Sequence, residues 1–395
     1  MQQPFMLHVR YDTRADHCRC WRPIMVQLSS AAAQMARLGA SSRSGIGGVA
    51  PDRLSDMTDF GSNPGALSAR FYVPAGMAAG APLVVVLHGC TQTAGGYDHG
   101  AGWSQLADEQ GFALLFPQQE RANNPNLCFN WFSPVDARRG SGEALSIHQM
   151  IVAMRARHRI DSDRIFVTGL SAGGAMASIM LATYPEVFAG GAIIAGLPFG
   201  AARSVPDAFA RMRGDGYPSD AELAAAIRHA SGHKGPWPRI SVWQGGGDQT
   251  VAPSNAERIV ASWRILHGLP DEPTQRSATG GVRHECWSNA DGEAVLEAYN
   301  IAGMGHGTPL RTTGPGGCGA SGPFMLDVGL SSTRQIAQFW GLGEAIPSED
   351  ADIDPDKAAP FEPAADASAF SWGGTRPATV GAVITDALRS AGLLR

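Results

Sequence analysis

Arg164-Ile-Phe-Val-Thr-Gly-Leu-Ser-Ala-Gly-Gly-Ala-Met-Ala-Ser-Ile-Met-Leu-Ala182 is the stretch that sets the fold. Ile165, Phe166 and Val167 make a short apolar β run. Gly169-Leu-Ser171-Ala-Gly173 follows, and helix-forming residues fill Ala175 to Thr183. The order is strand, sharp turn, helix, with a serine at the turn. Such an elbow needs glycine on both sides, because its backbone packs against the strand and lifts the serine Oγ above the sheet. A G-x-S-x-G match alone is weak, since about one is expected by chance in two chains of this glycine and serine content. Ser171 sits in the one match in the chain, and its strand-before, helix-after context gives it weight. The plainer alternative is a helix N-terminus capped by a serine.

Outward from the elbow the same alternation continues. Ala69-Arg-Phe-Tyr-Val73 is an alternating strand ended by Pro74. Next comes Pro82-Leu-Val-Val-Val-Leu-His88-Gly-Cys90, whose five continuous aliphatics mean a strand buried on both faces, as in the centre of a parallel sheet. Trp103 to Gln110 reads as a helix stopped by Gly111, and Phe112 to Phe116 as a strand. Gly142 to His158 is a longer helix, capped near Ser141, with Glu143 in its first turn. After the elbow stands the strand Gly191 to Ala195. An insertion over residues 200–236, rich in Gly, Pro and Arg, then holds a helix from Asp220 to His233. The strand Arg239-Ile-Ser-Val-Trp-Gln244, a helix from Ser254 to Gly268, the strand Val295 to Ile301 and a helix from Ser331 to Gly341 close the pattern. It predicts an α/β fold, a mostly parallel central sheet with helices on both faces and the insertion as a lid.

A serine hydroxyl is a poor nucleophile until a base takes its proton, and the base needs a third group to orient it. With a serine elbow on a parallel sheet the three arrive in chain order Ser, Asp, His, each on a loop at the carboxyl end of a strand. Asp248 follows the strand ending at Gln244 across a glycine turn, and His306 follows the strand ending at Ile301 across Gly303 and Gly305. Of the eleven histidines, only His306 lies after Asp248 at a strand end. His267 sits at a helix end and His284 in a polar loop. Singly, a turn aspartate or a surface histidine means little. In this order, on these element ends, Ser171, Asp248 and His306 read as a catalytic triad. The tetrahedral intermediate of acyl transfer also needs two backbone N–H donors. Ala172 N–H, next to the nucleophile, is one. The loop after Leu83–Leu87 supplies the other, assigned to Cys90, with His88 bracing that loop.

Four motifs in this order, His88-Gly-Cys-Thr-Gln92, Cys128-Phe-Asn-Trp-Phe132, Gly169-Leu-Ser-Ala-Gly-Gly174 and Gly305-His306, carry a resemblance. They resemble the poly(3-hydroxybutyrate) depolymerase family of esterases, related to feruloyl and acetylxylan esterases. The resemblance covers about residues 65 to 343. It implies an α/β-hydrolase fold and a serine carboxylester hydrolase that works through an acyl-enzyme on poly(3-hydroxybutyrate), its oligomers or similar esters. The triad it implies is Ser171, Asp248 and His306. The family's aromatic platform falls on Trp131, with Phe129 where a tryptophan is common and Phe132 beside them. A feruloyl or acetylxylan esterase is the alternative within enzymes. An inactive fold used as a binding module is disfavoured by the presence of all three triad members, and a serine peptidase by the lack of a propeller-like repeat. Secreted members add a linker and a polymer-binding domain. The stretch after Gly343 is too short for one, so oligomers and small esters are expected ahead of solid polymer. For an exported protein the expected disulfides are Cys90–Cys128, in two motifs near the site, and Cys286–Cys318, flanking the His306 loop.

Three regions are expected. Residues 1–64 form an N-terminal extension, partly helical or disordered. Its apolar-biased Met25 to Ala40 is interrupted by Gln27, Gln34 and Arg37, and no signal-peptide h-region stands out, which reads as cytoplasmic although the resembled family includes secreted members. Residues 65–343 form the catalytic domain. Residues 344–395 are an acidic Ala/Pro-rich linker, with Val380, Val383, Ile384, Ala387 and Leu388 at the spacing of one short terminal helix. Asp350, Asp352, Asp354 and Asp356 alternate there without the central glycine and terminal glutamate of a calcium loop, as in a solvated linker. At 395 residues with 17% charged, Gly 49 and Pro 26, the composition is that of a loop-rich globular enzyme. The net charge of −5 gives no footprint for nucleic acid, no Lys/Arg cluster suggests an anionic membrane, and no apolar run is long enough to span a bilayer. Cys18 and Cys20 lie in the N-terminal stretch, and none of the six cysteines forms a zinc-type C-x-x-C pair. No metal or other cofactor is expected.

Overall fold

Residues 52–343 are described by the computed structural model. In chain order they form β1 (Ser55–Asp56), β2 (Ser68–Tyr72), β3 (Leu83–Leu87), α1 (Ala94–Ala101), α2 (Trp103–Gln110), β4 (Ala113–Gln118) and α3 (Gly142–His158). β5 (Ile165–Leu170), α4 (Ala172–Thr183), β6 (Gly190–Ile194), α5 (Val205–Met212), α6 (Asp220–Ala230) and β7 (Arg239–Gly245) follow. The last are α7 (Ser254–His267), β8 (Gln275–Thr279), β9 (Val282–Ser288), β10 (Ala294–Ile301), β11 (Thr308–Leu310), β12 (Met325–Asp327) and α8 (Ser332–Phe339).

Ten strands join in one sheet, in the order β1-β2-β4-β3-β5-β6-β7-β10-β9-β8. The run from β4 to β10 is parallel throughout, while β2 and β1 at one edge and β9 and β8 at the other are antiparallel. The strand order reverses between β3 and β5. From β3 the chain crosses to β4 on one side, and from β4 it returns to β5 on the other. Helices then leave the sheet on opposite faces and open a crevice at the carboxyl ends, where ligands bind in sheets of this kind.

The continuous aliphatics of β3 are explained by the two faces. Leu83, Val85 and Leu87 pack with Met150, Met154 and Met176 of α3 and α4. Val84 and Val86 face the other way, onto Tyr97 of α1, Leu106 of α2 and Trp340, which caps the end of α8. All five are at most 1% exposed, and burying a side chain of this size contributes about 1.5–3 kcal/mol. Trp340 closes the second layer by stacking on Phe166 at 4.8 Å between ring centroids.

Several elements depart from the sequence expectation. The sheet takes in Ser55–Asp56, paired with Phe71 and Arg70, and Leu54 and Met57 are buried, so the fold begins ahead of the expected boundary at residue 65. The helix expected to reach His233 ends at Ala230, with a capping box between Ser219 and Glu222 at its start. The insertion holds a second helix, α5, capped by Ser204. His284 lies on β9, within an antiparallel hairpin, and not in a loop. There its Nε2 donates to Glu297 Oε2 at 3.1 Å and its ring stacks on Tyr299. Among the described residues no helix is long and apolar enough to cross a membrane. The expected helix in Met25–Ala40, the acidic run at 350–356, the terminal helix at 380–388 and Cys18 and Cys20 lie outside the described residues.

Candidate active site

The elbow forms as the sequence requires. Ser171 has φ 58° and ψ −117°, a strained conformation for a residue with a side chain, and its Oγ caps nothing on α4. That sets aside the capping-serine alternative. Ser171 N–H donates to Ile194 O at 2.9 Å, tying the turn to β6. The flanking glycines are there for close approach. A Cβ on Gly169 would come within 2.4 Å of Gly173 C, and one on Gly173 within 2.2 Å of Leu87 O. The elbow is therefore pressed against the end of β3, beside the loop that carries Cys90.

That loop is braced by His88. The buried ring donates from Nδ1 to Gly89 O at 2.8 Å and accepts Gln119 N–H on Nε2 at 3.1 Å. Burial pulls its pKa down to about 4, so the ring stays neutral and both nitrogens serve the backbone. Gly89 N–H donates to Gln92 Oε1, and Thr91 N–H to Asn126 O. The Cys90–Cys128 disulfide then joins this loop to the segment after β4. The second expected bridge is absent: Cys286 and Cys318 are both free and buried. Cys286 belongs to β9 opposite Glu297, whereas Cys318 packs its thiol against Ala101 O and Gly102 O between α1 and α2. The two cysteines flank the His306 loop in sequence only.

The segment after β4 is held from below by Glu143. Its buried carboxylate accepts from Gln119 Nε2 at 2.6 Å and from Asn130 N and Nδ2, both at 2.8 Å. Burial, with the Asp136 charge behind it, pushes this carboxyl up to about 8, while the Asn130 and Gln119 donors pull the other way. The sequence reading placed Glu143 only as a first-turn acid of its helix. The Gln119–Asn130 amides close by were the signal of a polar network.

A cavity of about 300 Å³ opens on Ser171 and Ala172. One wall is Cys90, Cys128, Trp131 and Phe132. The other is apolar, from Val205, Ala208, Phe209 and Met212, which recur along one face of α5, with Leu197 and Val251. Trp131 is 8% exposed and meets Phe132 edge-on at 5.7 Å. Phe129 is not part of the cavity. It is fully buried against the His88 ring, at 5.0 Å between centroids, and belongs to the core.

Asp248 and His306 are in contact. The loops that bear them are joined by Gly246 N–H to Ile301 O at 2.8 Å and Gly247 N–H to Met304 O at 2.9 Å. His306 Nδ1 lies 2.7 Å from Asp248 Oδ2. Asp248 Oδ1 accepts Thr250 N–H and Val251 N–H, and Oδ2 also accepts Gln244 Nε2 at 3.1 Å. Ser171, Asp248 and His306 all stand at the carboxyl ends of parallel strands, β5, β7 and β10. Ser171 Oγ makes no hydrogen bond to the first turn of α4, and Ser171 borders the cavity. The N–H groups of Cys90 and Ala172 meet no backbone carbonyl among the described residues.

This fold and this site define an ester hydrolase of α/β-hydrolase type. The chain belongs to the esterase PHB depolymerase family, whose model matches residues 67–287. It is 47% identical over 291 residues to poly(3-hydroxyalkanoate) depolymerase C of Paucimonas lemoignei, covering 73% of this chain and 70% of that protein. It is 30% identical over 265 residues to acetylxylan esterase A of Aspergillus oryzae, covering 65% of this chain and 85% of that one. Among solved structures, the acetyl xylan esterase from Aspergillus awamori superposes with a TM-score of 0.63 at 24% identity, over 73% of this chain and 99% of that one, a likeness of fold. The resemblance carried by the four motifs therefore holds.

Proposed function

We propose that the chain hydrolyses poly(3-hydroxyalkanoate) esters, with 3-hydroxybutyrate oligomers as the expected substrate, through an acyl-enzyme on Ser171. His306 Nε2 takes the Ser171 proton as Oγ attacks the ester carbonyl. Asp248, bonded to Nδ1, holds the ring in the tautomer that leaves Nε2 free and stabilises the imidazolium. The tetrahedral oxyanion is received by the N–H groups of Cys90 and Ala172. His306 then gives its proton to the leaving hydroxyl, and a water deprotonated by the same nitrogen releases the acid.

The chemistry is carried by one observation, the Asp248–His306 hydrogen bond at 2.7 Å on the same sheet edge as the elbow. The substrate reading is supported by the 47% identity to a depolymerase and by an apolar α5 wall suited to methyl-bearing acyl units. A second reading, an acetylxylan or feruloyl esterase, is favoured by relatives such as the 30% identical acetylxylan esterase A. Hydrolysis of a 3-hydroxybutyrate trimer, methyl ferulate and acetylated xylan, compared as kcat/KM, separates the readings. The trimer is expected to be preferred, and a preference for either of the others would move the substrate assignment while leaving the triad in place.

A further inference from the structure

We infer that Gln244 is a positioning residue for the acid of the triad, holding the Asp248 carboxylate in line with His306 Nδ1 and locking the turn that carries it. The inference rests on the triad proposed above. Gln244 is the next-to-last residue of β7 and is 2% exposed. Its Nε2 donates to Asp248 Oδ2 at 3.1 Å and to Val251 O at 3.1 Å, with Gly245 O a more distant acceptor at 3.3 Å. All of these are acceptors, which fixes the amide nitrogen on that side. Oε1 is left on the other branch, buried and without a partner. A buried carbonyl with no donor is unfavourable, and a leucine or methionine would fill the place without that cost. What the amide adds, and an apolar side chain would not, is the pair of N–H groups on the Asp248–Val251 turn.

Among the described residues, Gln244 and His306 are the two side chains hydrogen-bonded to this carboxylate. The remaining donors, Thr250 N–H and Val251 N–H, reach only Oδ1. Gln244 therefore shares with His306 the one oxygen that orients the base. A donor on Oδ2 makes it less basic, and losing that donor strengthens its hold on the imidazolium that forms during the reaction. Val251 also lines the cavity at Ser171, so the same amide nitrogen ties the acid to the acyl wall.

Gln244→Leu and Gln244→Glu are to be compared with the wild-type enzyme on p-nitrophenyl butyrate across the neutral range of pH. In Gln244→Leu, kcat is expected to fall about 10- to 100-fold with KM changed about twofold or less, and the acid limb of kcat/KM to move to higher pH. Gln244→Glu keeps the shape but sets a second carboxylate against Oδ2. At lower pH a shared proton restores the donor, so its activity relative to wild type is expected to rise as pH falls, opposite in sign to the leucine variant. Should the leucine variant fail to fold, the isosteric glutamate variant decides the matter by this sign. Wild-type kcat and an unmoved acid limb in the folded variants would overturn the inference, whatever the change in Tm. Asp248→Asn measured beside them keeps the two levels apart. Activity retained there would remove the triad itself, whereas activity lost there with normal Gln244 variants would remove only the role of Gln244.

Discussion

His306 Nδ1 and Asp248 Oδ2 stand 2.7 Å apart, with the aspartate side chain fully shielded from solvent. Its other oxygen is occupied by Thr250 N–H and Val251 N–H, and Gln244 Nε2 shares Oδ2 with the ring. Asp248→Asn can turn an amide N–H2 toward Nδ1 and favour the wrong tautomer. We expect kcat to fall by about 10³- to 10⁴-fold with KM little changed. Steady-state kinetics on p-nitrophenyl butyrate check this, and a loss below tenfold would point to another acid.

Trp131 and Phe129, two residues apart, are expected to behave differently. Trp131→Ala should raise KM for 3-hydroxybutyrate oligomers several-fold more than for p-nitrophenyl acetate, which is too small to span the wall. Phe129→Ala should cost about 3–5 kcal/mol of stability, because it empties a fully buried site beneath His88. Equal KM effects of Trp131→Ala on both esters would make Trp131 a packing residue. Urea melts measure the second arm.

The cysteines give a chemical test of the fold. Cys90–Cys128 closes a sequence separation of 38 residues, which in the chain-entropy account stabilises by about 4 kcal/mol. Burial raises the Cys318 thiol to about 11 and raises that of Cys286 as well, so neither is a ready nucleophile. Alkylation followed by peptide mapping should find Cys90 linked to Cys128. Cys286 and Cys318 should be modified only after denaturation. A Cys286–Cys318 peptide would contradict the packing of Cys318 against Ala101 and Gly102.

His88 predicts a pH dependence of stability. Its pKa is about 4 in the fold against 6.5 when free, so between those values the unfolded chain binds a proton that the folded one does not. Stability is then full above pH 6.5 and is lost as pH falls toward 4, by about 3 kcal/mol for this group. Half-buried His267, also lowered to about 4, adds a dependence of the same sign. His88→Gln should flatten the wild-type curve of Tm against pH in that window. A variant curve parallel to the wild type would mean that His88 is not buried as a neutral ring.

What the sequence made legible follows from physics local to each segment. β3 was readable because a strand covered on both faces must be aliphatic throughout. Gly142–His158 was readable because its length and first-turn acid leave few alternatives, and the Ser, Asp, His order because each follows a strand. The hairpin of β8 and β9 was not, since Gln275–Thr279 is exposed along its whole length and shows no alternation. α1 was hidden by its glycines, and α5 by a proline at its first turn that reads equally well as a loop. The inward turn of Phe129 and the separate lodging of Cys286 and Cys318 are set by tertiary packing. Gln244 carried no signal in one dimension, because its meaning lies in the acceptor it meets four residues on.

The most direct test of the account is covalent capture of the nucleophile. The wild-type enzyme treated with a fluorophosphonate should gain one adduct per chain, mapped to the peptide bearing Ser171, in step with loss of esterase activity. Ser171→Ala should take up none while keeping the wild-type circular dichroism and melting curve. An adduct on another residue, or esterase activity in Ser171→Ala above a few per cent of wild type, would contradict the assignment of Ser171 and with it the acyl-enzyme mechanism.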